Sequence, residues 1–274
     1  MINTTPAETV MARTARRQAL TWSLAMVLGC SAAYSREALN MDGSAKDTLS
    51  TRQQAIVPIA AFAAAGDMAS LHAALNRGLD AGLTISDIKE ILVQLYAYAG
   101  FPRSLNALGE FMKTLETRKQ RGIEDLPGSR PGRAIPQGDA LLAAGTANQT
   151  RLSGAAVSGP LFDFAPVANE YLRTHLFGDI FERDNLDWQS RELATLGMLS
   201  ALPGVEAQLQ AHMRISMNVG LTAEQLRELP RVLATHVDSA AARRADDALA
   251  RHLASLQGGK PVRPDRLPVP CEFP

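Results

Sequence analysis

Glu90, Gln94 and Tyr98, spaced four apart, set a carboxylate, an amide and a phenol in one row along a stretch whose other positions are apolar. A carboxylate beside an apolar stripe loses part of its hydration, which raises its pKa and makes it a better proton carrier near neutrality. The alternatives for Glu90 are a solvated helix edge or a helix-packing ion pair. Arg103 stands just before a helix expected to be capped by Ser104, where the helix dipole disfavours a cation by about 0.3–1 kcal/mol. Its planar fork, with the amides of Ser104 and Leu105, would hold a carboxylate; a salt bridge within the protein or plain exposure to solvent competes with that role. His212 adjoins the stripe Leu209, Met213 and Met217 and has Arg214 close by, which puts an imidazole at a packed edge, either structural or acid-base active. His72 falls two positions short of the residue matching His212, and His175, His236 and His252 show no usable spacing. With no HExxH, no paired CxxC and no glycine-rich phosphate loop after a strand, neither a metal nor a nucleotide cofactor is expected.

These residues need helices to position them. Aromatics are few while Ala and Leu are abundant, a composition that favours close-packed helices over sheets. Leu71, Ala73, Gly82, Leu83, Thr84 and Glu90 recur 138 positions later as Leu209, Ala211, Gly220, Leu221, Thr222 and Glu228, so the chain is a tandem duplication of a helical subdomain. In the first copy, Ser50 to Gln53 is a capping box for a helix reaching about Ala65, a second helix runs from about Met68 to Gly82, and Thr84 with Asp87 starts a third. The third helix must end by Gly100-Phe101-Pro102; a fourth runs from Ser104 to near Gly122. In the second copy Asp187 caps the first helix and Thr222-Ala223-Glu224-Gln225 is a capping box for the third, but His236-Val237-Asp238-Ser239 replaces the counterpart of Tyr98 to Arg103. The predicted units are 45–122 and 138–257, joined by a Pro-, Gly- and Arg-rich linker at 123–137 and followed by a Pro-rich tail at 258–274.

Ahead of the first unit, Arg13, Arg16 and Arg17 precede the apolar run Ala19 to Gly29 and small residues at Ser31, Ala32 and Ala33. This reads as a secretory signal peptide over 1–33, with Met11 as an alternative start, and the run is too short for a transmembrane anchor. Val27-Leu28-Gly29-Cys30 offers a second reading, a lipoprotein box with Cys30 lipidated, and Arg16-Arg17 a third, a twin-arginine signal. The mature chain is expected to be exported, to the periplasm. Only Cys30 and Cys271 exist, so no disulfide framework within the mature chain is available. Lys plus Arg and Asp plus Glu both total 28, which leaves no net field to hold a polyanion and argues against nucleic acid.

Gly82-Leu83-Thr84 with Glu90, then Tyr96 to Ser104 and Asn106-Ala107, resembles the signature of the carboxymuconolactone decarboxylase family. In the second copy the match is Arg191-Glu192-Leu193-Ala194-Thr195, Gln208-Leu209, His212 and Asn218 to Thr222. The resemblance implies an all-α fold of two tandem alkylhydroperoxidase D-like units packed together, and a homo-oligomer, here a trimer of two-unit chains. It implies a cofactor-free lyase acting on a small carboxylic acid, unsaturated or a lactone, with Glu90, His212 and Tyr98 catalytic and Arg103, Arg214 and Glu192 binding the substrate. Export points toward an acid other than the lactone of aromatic breakdown. The family's thiol peroxidases need a CxxC pair that is missing here, so peroxidase activity is disfavoured; a non-catalytic small-molecule binding protein is the remaining alternative.

Overall fold

Helix α1 (Thr51–Ala65) starts where the Ser50 hydroxyl accepts from the Gln53 amide and the Gln53 side chain accepts from the Ser50 amide. From Ile56 to Ala64 every residue is buried, the signature of a helix surrounded by others rather than laid on a surface. Its main partner is α8 (Trp188–Ala201), capped by Asp187 and buried without interruption from Ser190 to Ser200. A Cβ at Gly197 would stand 2.6 Å from the Val57 carbonyl oxygen and 3.2 Å from Ala60 Cβ, so the missing side chain is what lets these two helices approach so closely. The computed structural model describes residues 47–257. The expected signal segment, Met11, Cys30 and the tail with Cys271 lie outside the described residues. Leu49 to Gln257 belong to one unit.

Around the central pair lie α2 (Met68–Asp80), α3 (Ile85–Gln94) and α4 (Tyr96–Gln120) of the first copy, and α9 (Glu206–Asn218), α10 (Ala223–His236) and α11 (Ser239–Gln257) of the second. Between the copies come α5 (Asp139–Ser153), α6 (Pro160–Phe164), α7 (Pro166–Tyr171) and a π-helical segment, Leu172–Ile180. There is no strand among the described residues. The copies interlock: α3 packs against α8, and α10 packs against α1. Matching ends bear out the duplication, with capping boxes at Thr84 and Thr222 and positive-φ glycines at Gly82 and Gly220.

One local expectation needs correction. Ser104 does not cap a helix; the break falls at Gly100, whose φ of 81° and ψ of 161° only glycine adopts readily. Ser104 is buried inside α4 and donates to the Leu92 carbonyl at 2.7 Å, tying the two sides of the kink together. Arg103 therefore sits within the first turn of the restarted helix, and the amides of Ser104 and Leu105 are not its exposed end. The linker is tied to the first copy, where the Ile85 and Ser86 amides at the start of α3 donate to Leu126 and Pro127 carbonyls at 2.9 and 3.0 Å. The short α6 and the π-helical segment were not legible, since neither carries a sustained apolar period.

Candidate active site

The row Glu90, Gln94 and Tyr98 faces α8, which presents Arg191, Glu192 and Thr195. Glu90 is buried and takes a bidentate pair from Arg183, at 2.8 Å from Nε and 2.7 Å from Nη2. It also accepts from Arg191 Nη2 and Asn185 Nδ2, each at 3.0 Å. Burial alone raises its carboxyl, but the hydrogen bonds from Arg183, Asn185 and Arg191 outweigh that and hold it at about 2. The expected upward shift is thus reversed: Glu90 is an ion-pair partner, ionised at neutral pH, and not a proton carrier. Arg191, fully buried, is pushed down by burial, whereas Arg183 is pushed up by its bond to Glu90.

From Arg191 the polar row continues. Gln94 Nε2 donates to the Arg191 carbonyl at 3.0 Å and to Thr195 Oγ1 at 2.8 Å. Beside Thr195 lies the hydroxyl of Tyr98, buried without completing a hydrogen bond of good geometry. Burial first, and the Glu192 charge second, push its phenol far up, so it stays a hydrogen-bond donor. The Tyr98 ring meets the His212 ring edge-on at 5.6 Å between centroids.

His212 is the end of the row. Its Nδ1 lies 2.7 Å from Glu192 Oε2, with the carboxylate wholly buried and the imidazole nearly so. Glu192 Oε1 and Ser216 Oγ are buried without a partner, and His212 Nε2 has none among the described residues. A carboxylate holding Nδ1–H fixes the tautomer and leaves Nε2 to take or give a proton. The chemistry this dyad can do is general acid-base transfer next to a neutral phenol donor.

Of the predicted residues, the structure joins Glu192, His212 and Tyr98 in one cluster and links Glu90 to it through Arg191 and Gln94. Glu192 holds His212 directly, so its place is behind the imidazole. Arg103 and Arg214 belong to neither set. The Arg103 guanidinium packs on the backbone of Gly66, which ends α1, where a cation complements the helix dipole. Arg214 is exposed, and its charge reaches His252 on α11. Sequence reasoning missed Arg183 and Asn185, loop residues with no period to reveal them, and Ser216, which the i+4 spacing from His212 could have flagged.

A depression of about 350 Å³, lined by Arg151, Asp187, Trp188, Gln189, Asn218 and Val219, opens at the start of α8 and the end of α9, the helices that carry Glu192 and His212. Arg151 stacks over Trp188 at 4.7 Å. Helix α5 roofs this side: Leu152 is buried with Ile215 and Phe181, and its carbonyl accepts from Asn218 Nδ2 at 2.8 Å. A wider cavity of about 450 Å³ between α10 and α11, rimmed by Arg227, Arg231 and Arg243, holds none of these residues.

The model of the carboxymuconolactone decarboxylase family matches residues 31–111 and 166–251, one segment in each copy. The chain belongs to the carboxymuconolactone decarboxylase family. Its two copies differ in their Glu-His pairs: Glu192 and His212 of the second are buried, whereas Glu110 and His72 of the first, 2.9 Å apart, are partly exposed; the first copy supplies Tyr98 across the interface between copies. No curated protein matches the chain. No group of metal-ligating side chains occurs among the described residues, and no helix there is long and apolar enough to cross a membrane.

Proposed function

We propose that this family member is a cofactor-free lyase acting on a small carboxylic acid, unsaturated or a lactone, with His212 as its proton carrier. The observation that carries the proposal is the buried 2.7 Å contact between His212 Nδ1 and Glu192, with Nε2 left open beside Tyr98. As carbon dioxide departs, the electron pair of the broken C–C bond passes into the substrate as a dienolate. The Tyr98 O–H donates to the developing oxyanion, and protonated His212 gives its Nε2 proton to carbon, then recovers one from solvent. Glu192 is a positioning residue that holds Nδ1–H throughout, and Arg151 at the depression supplies the cation for the second carboxylate of a substrate that carries two, the one not lost as carbon dioxide. Glu90 serves the site indirectly, by fixing Arg191 and with it the polar row.

Exposed Phe101, Leu105 and Met112 on α4 support self-association into the trimer of two-unit chains. The basic and apolar segment before Ala33 supports export. A non-catalytic binding role draws on the internal pairing of Glu90, which removes one carboxylate from chemistry. Ultraviolet-monitored turnover of 4-carboxymuconolactone and of other unsaturated acids tests the lyase. His212→Ala should lower kcat/KM by about 10²–10⁴-fold, the range of a lost general acid. Glu192→Gln should lower it less and move the pH profile, because the ring is then held by a neutral amide. Well-folded protein without turnover of any such acid overturns the lyase proposal, and turnover in a parallel peroxide-plus-thiol assay would replace it with redox chemistry.

A further inference from the structure

The duplication places a second cavity in the first copy, at the position that the Glu-His pair occupies in the second. The first helices match one residue closer than the rest of the repeat, as the caps Ser50 and Asp187 and the buried Leu49 and Leu186 that precede them show. On that register Ala55 stands for Glu192, Ala74 for His212, and His236 for Tyr98. Two alanines where the other copy has a carboxylate and an imidazole leave empty volume: a cavity of about 150 Å³, whose lining includes Ala55, Ala74, Pro58, Gln54, Arg77 and His236. An apolar cavity of about 150 Å³ has room for one benzene ring.

We infer that this cavity is a second ligand site, binding a ring-sized carboxylic acid without turning it over. Ala55, Pro58 and Ala74 form an apolar surface for the ring. Arg77 and His236 supply the polar end: both are exposed, and neither side chain has a hydrogen bond or ion pair among the described residues. An unpaired guanidinium beside an apolar cavity recognises a carboxylate through its planar fork, and the His236 ring adds a donor on the opposite helix. Arg77 is itself a departure from the repeat, since its counterpart is the buried Ile215. The first copy has thus exchanged proton-transfer groups for space and a cation. The cavity lining holds no carboxylate to pair with His236, and the first copy's own His72–Glu110 pair is not part of that lining, so the site binds and releases its acid unchanged. The inference does not depend on the lyase proposal.

Titration of the full chain with benzoate, followed by calorimetry and by the methyl signals of labelled alanines, tests it. Saturable binding that shifts the Ala55 and Ala74 methyls is expected, at least tenfold weaker in Arg77→Ala, weaker also in His236→Ala, and unchanged in His212→Ala. Benzyl alcohol, the neutral analogue, should bind at least tenfold more weakly than benzoate. Both substituted side chains are exposed, and melting curves of the variants establish that they fold. Binding that survives Arg77→Ala, binding lost instead in His212→Ala, or no saturation below about 10 mM, an affinity near 3 kcal/mol, would each overturn the inference.

Discussion

The two copies differ most where they should be most alike. In the second, the space between the first two helices is filled by Glu192 and His212, completed by Tyr98 from the first copy and roofed by α5. In the first, Ala55, Ala74 and His236 occupy those places and a cavity remains. The same contrast holds for the third helices. Glu90 reaches across to the half-buried Arg183 and Asn185 and the buried Arg191, whereas its counterpart Glu228 reaches across, among the described residues, to the Leu49 amide at 3.1 Å. Duplication kept the helices and their crossing and let the polar contents drift apart. The scaffold is held by the apolar α1–α8 pair, and its polar cavities are free to change.

The largest effect should come from cutting the richer of the two crossings. Glu90→Ala leaves the wholly buried Arg191 without its counter-ion and is expected to cost about 3–5 kcal/mol of unfolding free energy. Glu228→Ala removes one half-buried bond to a backbone amide and should cost about 1–2 kcal/mol. Urea unfolding of the two variants side by side measures the difference, and equal losses would mean that the arginine cluster adds nothing to the crossing. Acid should act on the same crossing. The folded Glu90 carboxyl lies at about 2, below its ordinary value of 4.5, so its contribution to stability is complete above the ordinary value and fades as the pH falls toward 2. Glu90→Gln should flatten that part of the stability-against-pH curve, and an unchanged curve would place the acid sensitivity elsewhere. The smallest structural effect belongs to Tyr98→Phe. It removes a buried hydroxyl whose approach to Thr195 falls short of a well-formed hydrogen bond, so stability should stay within about 0.5 kcal/mol, while turnover falls about tenfold, or 1.4 kcal/mol of transition-state stabilisation. Lost stability with unchanged turnover would make the phenol a packing residue.

The caps at Ser50, Thr84, Asp187 and Thr222 and the glycines after the second helices were legible because each signal is local: a side chain and an amide three residues on, or a backbone angle that only glycine favours. The polar row was legible as a row, since Glu90, Gln94 and Tyr98 all lie ahead of the kink at Gly100 and Leu95 between the two helices keeps a helical backbone. Its electrostatics were not. The charge state of Glu90 depends on Arg183 and Asn185, about ninety residues away in a loop, and nothing in the spacing of the helix foretells a partner that distant. His212 was visible from its stripe, but its pairing with Glu192 joins two helices and depends on their packing. Arg103 illustrates the opposite failure: its helix start was misplaced by a few residues, and with it the supposed anion site.

The crossing of third helices has a consequence for how the chain is inherited and cut. Each copy closes its core with a helix belonging to the other, so a break in the linker at 123–137 would not release two small domains. It would give two fragments, each with an uncovered apolar helix, that regain the native shape only when mixed, as halves of one molecule and not as neighbours on a string.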